Sequence, residues 1–258
     1  SMFFRMALLD ALQYPARTIA SVSTAGIRML FIFTIYTYAY SYVGERIEMT
    51  LAAALASLAT YQVMNALSFR KVFYRILRDI QRGDLEVALI KPYSYIGRLI
   101  VEHVGYVSAN IVPSIFVALF AVYIFADMSS LSFGVQDAVW WVVLAVLGTA
   151  ISGCMFVAAS LPALWINDSE PFVFIIDKTV MLLGGAFLPV ALMPSWFATV
   201  ALYSPFGAAM FATYAFNANF LTQAPYLALA QLCWVLALTF FAWWLFSVGV
   251  RKIAVNGG

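Results

Sequence analysis

Two pairs of charged residues sit where charge is costly. Glu102 and His103, the single histidine, open one apolar run, and Asp177 and Lys178 lie deepest in another. A carboxylate beside an imidazole at a membrane boundary is a set that could relay protons, because an ionisable group in hydrocarbon needs a partner. The structural alternative is simpler: Arg98 and Glu102 are four apart and can pair on one helix face. Asp177 and Lys178 are adjacent, so they do not face each other. Either Lys178 leans back toward its helix N-terminus as an anchor, or the two pair with another span or a second subunit. Hydroxyls and amides offer a second chemistry. Thr34, Thr37 and Ser41 share helical spacing among Tyr36, Tyr38, Tyr40 and Tyr42, and Gln62 and Asn65 lie three apart. They read as one wall of a substrate path, or as an aromatic belt with hydroxyls bonded to their own backbone. Cys154 and Cys233 lie in apolar runs without metal-ligand spacing and read as buried structural thiols, so no metal site is expected. The chain has no Gly-x-x-x-x-Gly-Lys-Ser/Thr loop, no Gly-x-Ser-x-Gly and no histidine pair for a zinc hydrolase. It is therefore expected neither to cradle a nucleotide nor to catalyse a reaction itself.

Charge is dense in one place only. Residues 69–98, FRKVFYRILRDIQRGDLEVALIKPYSYIGR, hold seven of the fourteen Lys and Arg residues. Phe73, Ile76, Leu77 and Ile80 recur at helical spacing, with Lys71, Arg75, Arg78, Asp79 and Arg82 elsewhere around the turn, which predicts an amphipathic helix. Gly83 is suited to ending it in the left-handed conformation, Asp84 to capping a second short helix, and Pro92 to stopping that one. Leu85, Val87 and Leu89 then stand beside Glu86 and Lys91 without an apparent apolar partner, as at an interface.

The run from Gly83 to Ser94 resembles the first cytoplasmic loop of ABC-2 type transporter permeases, where a Gly-x-Leu-Glu-x-x-Leu-x-x-Pro pattern forms the coupling helix. The resemblance implies that Gly83, Asp84, Leu85, Glu86, Leu89, Lys91 and Pro92 contact a cytoplasmic ATP-binding cassette ATPase. It also implies that ATP and Mg2+ are carried by that partner, that a second permease subunit, identical or related, completes the transporter, and that transport runs outward across a bacterial inner membrane. An amphipathic or lipid-like substrate or a drug would suit the aromatic and hydroxyl-lined path. No nucleic-acid partner is expected. The competing class is an ion-coupled secondary transporter using Glu102, His103, Asp177 and Lys178, although no internal repeat is visible.

The elements that must position these residues follow from composition. With 64% hydrophobic residues, 10% charged and a mean hydropathy of +0.93, the chain is far more apolar than a soluble domain, whose charged fraction is about 25%. An all-α membrane protein is expected, as a single permease domain over 1–258. Ser1 ahead of Met2 reads as a tag-removal scar. An interfacial helix is expected at about 2–14, and spans at about 19–43, 49–68, 99–125 and 138–165. A fifth follows the Asn167-Asp168-Ser169-Glu170-Pro171 connection, and a sixth covers about 226–250. Between the last two, prolines 189, 194 and 205 predict a re-entrant extracytoplasmic hairpin over about 189–225, as the resemblance also implies. With both termini in the cytoplasm, eleven basic residues fall inside (Arg5, Arg17, the seven above, Arg251 and Lys252) and Arg46 alone outside, which sets the orientation.

Overall fold

A computed structural model describes residues 2–13, 15–43, 49–166 and 168–256. Ser1, Tyr14, the Gly44-Glu45-Arg46-Ile47-Glu48 turn and Asn167 lie outside the described residues, as do the side chains of Arg17 and Lys252. All elements are helical, and no strand occurs among the described residues. The helices are α1 (Met2–Gln13), α2 (Pro15–Val43), α3 (Leu51–Ala66), α4 (Arg70–Gln81), α5 (Asp84–Leu89) and α6 (Tyr95–Phe125). They continue with α7 (Val135–Ser160), α8 (Ala163–Ile166), α9 (Glu170–Leu183), α10 (Ser195–Tyr203), α11 (Pro205–Ala208) and α12 (Phe220–Asn256).

Small residues place α3 at the centre. Thr50 starts it by accepting the Ala53 amide hydrogen at 3.2 Å. Thirteen of its sixteen residues are buried, because the alanines let α2 and α6 approach on one side and the turn Phe211–Phe216 on another. Around it, α7 packs against α12 and α1 lies along α6, where Gly105 is so close to the Phe4 carbonyl that no side chain would fit. Ser94 caps α6 by accepting the Gly97 amide hydrogen at 3.1 Å.

Among the described residues, four helices are long and apolar enough to cross a membrane: Thr18–Tyr42, Tyr95–Phe125, Val135–Ile166 and Phe220–Arg251. The second and fifth expected spans are shorter than anticipated. At sixteen and fourteen residues, α3 and α9 are about 24 and 21 Å long, against about 30 Å of hydrocarbon. Helix α9 stops at Gly184-Gly185, where Gly185 takes a φ of 85°. The fourth expected span is interrupted at Leu161-Pro162 before α8. Short helical pieces occupy most of the stretch over which a hairpin is expected. These pieces, Val190–Leu192, α10, α11 and Phe211–Phe216, end before Phe220, and Pro225 is taken inside α12 at the loss of one backbone hydrogen bond.

These short pieces fill space inside the bundle. Phe211, Ala208 and Ala209 are fully buried, Gly207 lies against the Ala201 carbonyl, and Gly148 of α7 lies against that of Ala209. Gln231 of α12, without exposure, donates its amide to the carbonyls of Ala208 at 2.7 Å and Leu144 at 3.1 Å, joining the pieces to α7.

Candidate functional site

Helix α4 follows the predicted amphipathic pattern, with one exception. Phe73, Ile76 and Leu77 are buried against Phe156, Val157 and Ala159 of α7 and Val173 of α9, with Ile80 at the margin. The exception is Asp79, expected on the wet face but 5% exposed. Its carboxylate accepts the Tyr95 hydroxyl at 2.9 Å and is 3.1 Å from Arg75 Nε, so the buried charge is compensated. Spacing to Arg75 was its visible signal; Tyr95, sixteen residues on, was not.

Gly83, with a φ of 75°, reverses the chain. It also takes the cap position expected for Asp84, which instead lies with Glu86 in the first turn of α5, where a carboxylate favours the helix dipole. The expected apolar face of α5 must be corrected. Leu85 is 2% exposed and, with Ala88, packs into the chain's own core, with Leu89 partly buried beside it. A six-residue helix has to bury one side to be held at all. The apolar side chains left outward are Val87 and Ile90, 61% and 85% exposed, next to exposed Glu86, Lys91 and Pro92.

The deep charges are satisfied separately. Asp177 of α9 receives Arg70 of α4, with Nη2 at 2.7 Å and Nε at 3.1 Å from one carboxylate oxygen. Lys178 is exposed and leans back over the Phe174 ring at 5.4 Å, in the direction expected for helical side chains. Glu102 pairs with Arg98 at 3.4 Å, as the spacing allowed. His103 turns the other way, donating Nε2–H to the Leu67 carbonyl at 3.3 Å and packing on Phe69 with ring centres 4.0 Å apart. Glu102, His103, Asp177 and Lys178 therefore each hold a different partner.

The candidate path also divides. Thr34 and Thr37 bond the carbonyls of Leu30 and Phe33, and Ser41 that of Tyr38, at 2.7–2.9 Å. Gln62 and Asn65 instead line a polar cavity of about 260 Å³ between α2, α3, α4 and α6, which does not reach the three hydroxyls. A larger recess of about 820 Å³ escaped the sequence reading, because no local pattern brings its walls together. Tyr95 of α6, Cys154 of α7 and Thr239, Trp243 and Phe246 of α12 line it together with Phe69 at the start of α4, and its surface is mostly apolar. Cys154 Sγ is 3.3 Å from the Thr239 hydroxyl there. Cys233, expected to be buried, is exposed on α12. No cluster of metal-ligating groups occurs among the described residues.

Long apolar helices define a multi-pass membrane protein. The match to a family model makes this specific: the model described as ABC-2 family transporter protein covers residues 22–257, and the chain belongs to that family of permeases. No curated protein and no solved structure matches the chain.

Proposed function

We propose that the chain is the permease subunit of an ATP-driven exporter, coupled to a separate cytoplasmic ATPase through the outward face of α5. ATP and Mg2+ act on that partner, and a second permease copy or close relative completes the complex. Helices α3 and α9 join the four long helices as shorter crossings, giving six spans with both termini in the cytoplasm and residues 190–219 on the far side. The distribution of charge supports this arrangement: residues 69–98 carry seven cations, whereas 184–219 carry no charged residue.

The observation that carries the coupling role is the two-sidedness of α5. Leu85 and Ala88 bind it to α4 and through α4 to α7 and α9, while Val87, Ile90, Glu86 and Lys91 stay free for a partner. A push on that face reaches the membrane helices through Phe73 and Ile76 and through the Arg70–Asp177 bridge. The apolar recess between α6, α7 and α12 suits an amphipathic or lipid-like substrate. Ion-coupled transport has less support, because Asp177 and Glu102 each hold an arginine within the chain and His103 holds a backbone carbonyl.

The test is a pair of substitutions on opposite sides of one helix. Val87→Asp with Ile90→Asp should leave a folded permease that loses ATPase co-purification at least tenfold, since a charge would be buried unpaired at the contact. Leu85→Asp should instead prevent folding. Unchanged co-purification in the double variant would remove the coupling role, and transport in vesicles without ATP, abolished by a protonophore, would bring the ion-coupled reading forward.

A further inference from the structure

The polar cavity between α2, α3, α4 and α6 carries charge that the chain does not balance. Arg28, Arg70 and Lys71 line it, and no carboxylate does. Arg70 is neutralised by Asp177 at 2.7 Å. Among the described residues Arg28 and Lys71 make no ion pair; the Lys71 ammonium rests 3.3 Å from the centre of the Tyr106 ring, which holds it in place. Arg28 and Lys71 are both exposed, and two uncompensated cations at one cavity favour an anion.

The neutral groups of the lining are also incomplete. Gln62 is 5% exposed and makes no hydrogen bond among the described residues. Asn110, 6% exposed, donates Nδ2–H to the Tyr106 carbonyl at 2.8 Å, which fixes its orientation and leaves Oδ1 without a donor. Gln62 lines the cavity, whereas Asn110 Oδ1 is fully enclosed. The complement this lining favours is an anion that accepts from Arg28, Lys71 and the Gln62 amide. At about 260 Å³, the space of roughly nine waters, it has room for such a group.

The walls indicate how the ligand enters. Helix α2 is mostly exposed and apolar, with Ile27 and Phe31 outward, and α6 carries Val104 and Val112 on its exposed side; the two touch at Gly26 and Val117. A ligand head can therefore reach the cavity from the side while an attached chain stays among these apolar residues. We propose that this cavity is a binding site for a phosphate-ester anion, with an anionic phospholipid headgroup such as phosphoglycerol as its source at the membrane boundary. From the permease reading it takes only that α2 and α6 cross the membrane.

The experiment needs neither the ATPase nor transport, so loss of the coupling role would leave it unaffected. Purified permease in detergent is titrated with phosphatidylglycerol and with phosphatidylcholine of the same acyl chains, and bound lipid is counted by native mass spectrometry. One phosphatidylglycerol per chain should bind at least tenfold more tightly than phosphatidylcholine. Arg28→Gln with Lys71→Gln should bring the two lipids to equal affinity, and Arg28→Lys should keep the preference. Gln62→Glu, which supplies an internal counter-ion with almost no change of shape, should abolish the preference in a chain that still elutes as folded protein. Inorganic phosphate separates the sources: no displacement of the lipid at millimolar concentration supports the headgroup, and full displacement assigns the site to a soluble phosphate ester. Equal affinities in the wild type, or an intact preference in the double variant or in Gln62→Glu, would overturn the proposal.

Discussion

Two stretches of short helices interrupt the long ones, and they are made of opposite materials. Residues 69–98 are held by an apolar stripe beneath ion pairs, with Arg70 on Asp177 and Arg75 on Asp79, and seven cations in all. Residues 184–219 contain no charged residue and are held by close backbone approach, at Gly207 against Ala201 and Ala209 against Gly148, and by the Gln231 amide. The difference shows two ways of fixing irregular backbone beside a membrane. In the first, charge keeps one face wet while Arg70, Arg75 and Arg98 are tied down by carboxylates. In the second, small residues and satisfied carbonyls allow non-helical backbone to be buried inside the bundle, the condition under which it is tolerated at membrane depth.

The largest test of this contrast is in the charge-free stretch. A side chain at Gly207 would overlap the Ala201 carbonyl, and backbone cannot move aside as a flexible side chain can. Gly207→Val is expected to cost about 3 kcal/mol or more, seen as aggregation on size exclusion or a large drop in melting temperature. Wild-type stability in that variant would mean that these contacts do not fix the stretch.

An intermediate effect is expected where the two materials meet. Asp177→Asn leaves the half-exposed Arg70 with a weaker partner, a loss of roughly 1–2 kcal/mol after allowing for solvent. Melting temperature should fall by a few degrees, and ATP hydrolysis stimulated by substrate should fall further than stability does. Arg70→Asp combined with Asp177→Arg should recover part of both. If the single variant is fully coupled, the bridge is structural only.

The smallest effect belongs to Lys178. It is exposed and rests over the Phe174 ring at 5.4 Å, a contact of about 0.5 kcal/mol. Lys178→Met should therefore keep expression, stability within error, and transport. A loss of transport would reveal a carboxylate contributed by another subunit, and charge would then matter in a third place.

Local chemistry was enough for much of this protein. Apolar runs dictated helices, because backbone groups in hydrocarbon must bond within their own segment. The 3.6-residue stripe from Phe73 to Ile80 with Gly83 and Pro92 behind it dictated an amphipathic corner, and the spacing of Arg98 and Glu102 dictated their pair. Only the tertiary structure decided which side of each helix met protein. Leu85 and Val87 are alike in hydropathy, yet one is buried and the other free, because α7 and α9 stand on one side of the corner only. Asp79 reads as a wet-face charge until Tyr95 arrives, and Asp177 has no visible partner until α4 brings Arg70 across 107 residues. The two cavities were equally hidden, since each is a space left between helices distant in the chain, and periodicity along one helix carries no record of the gap beside it.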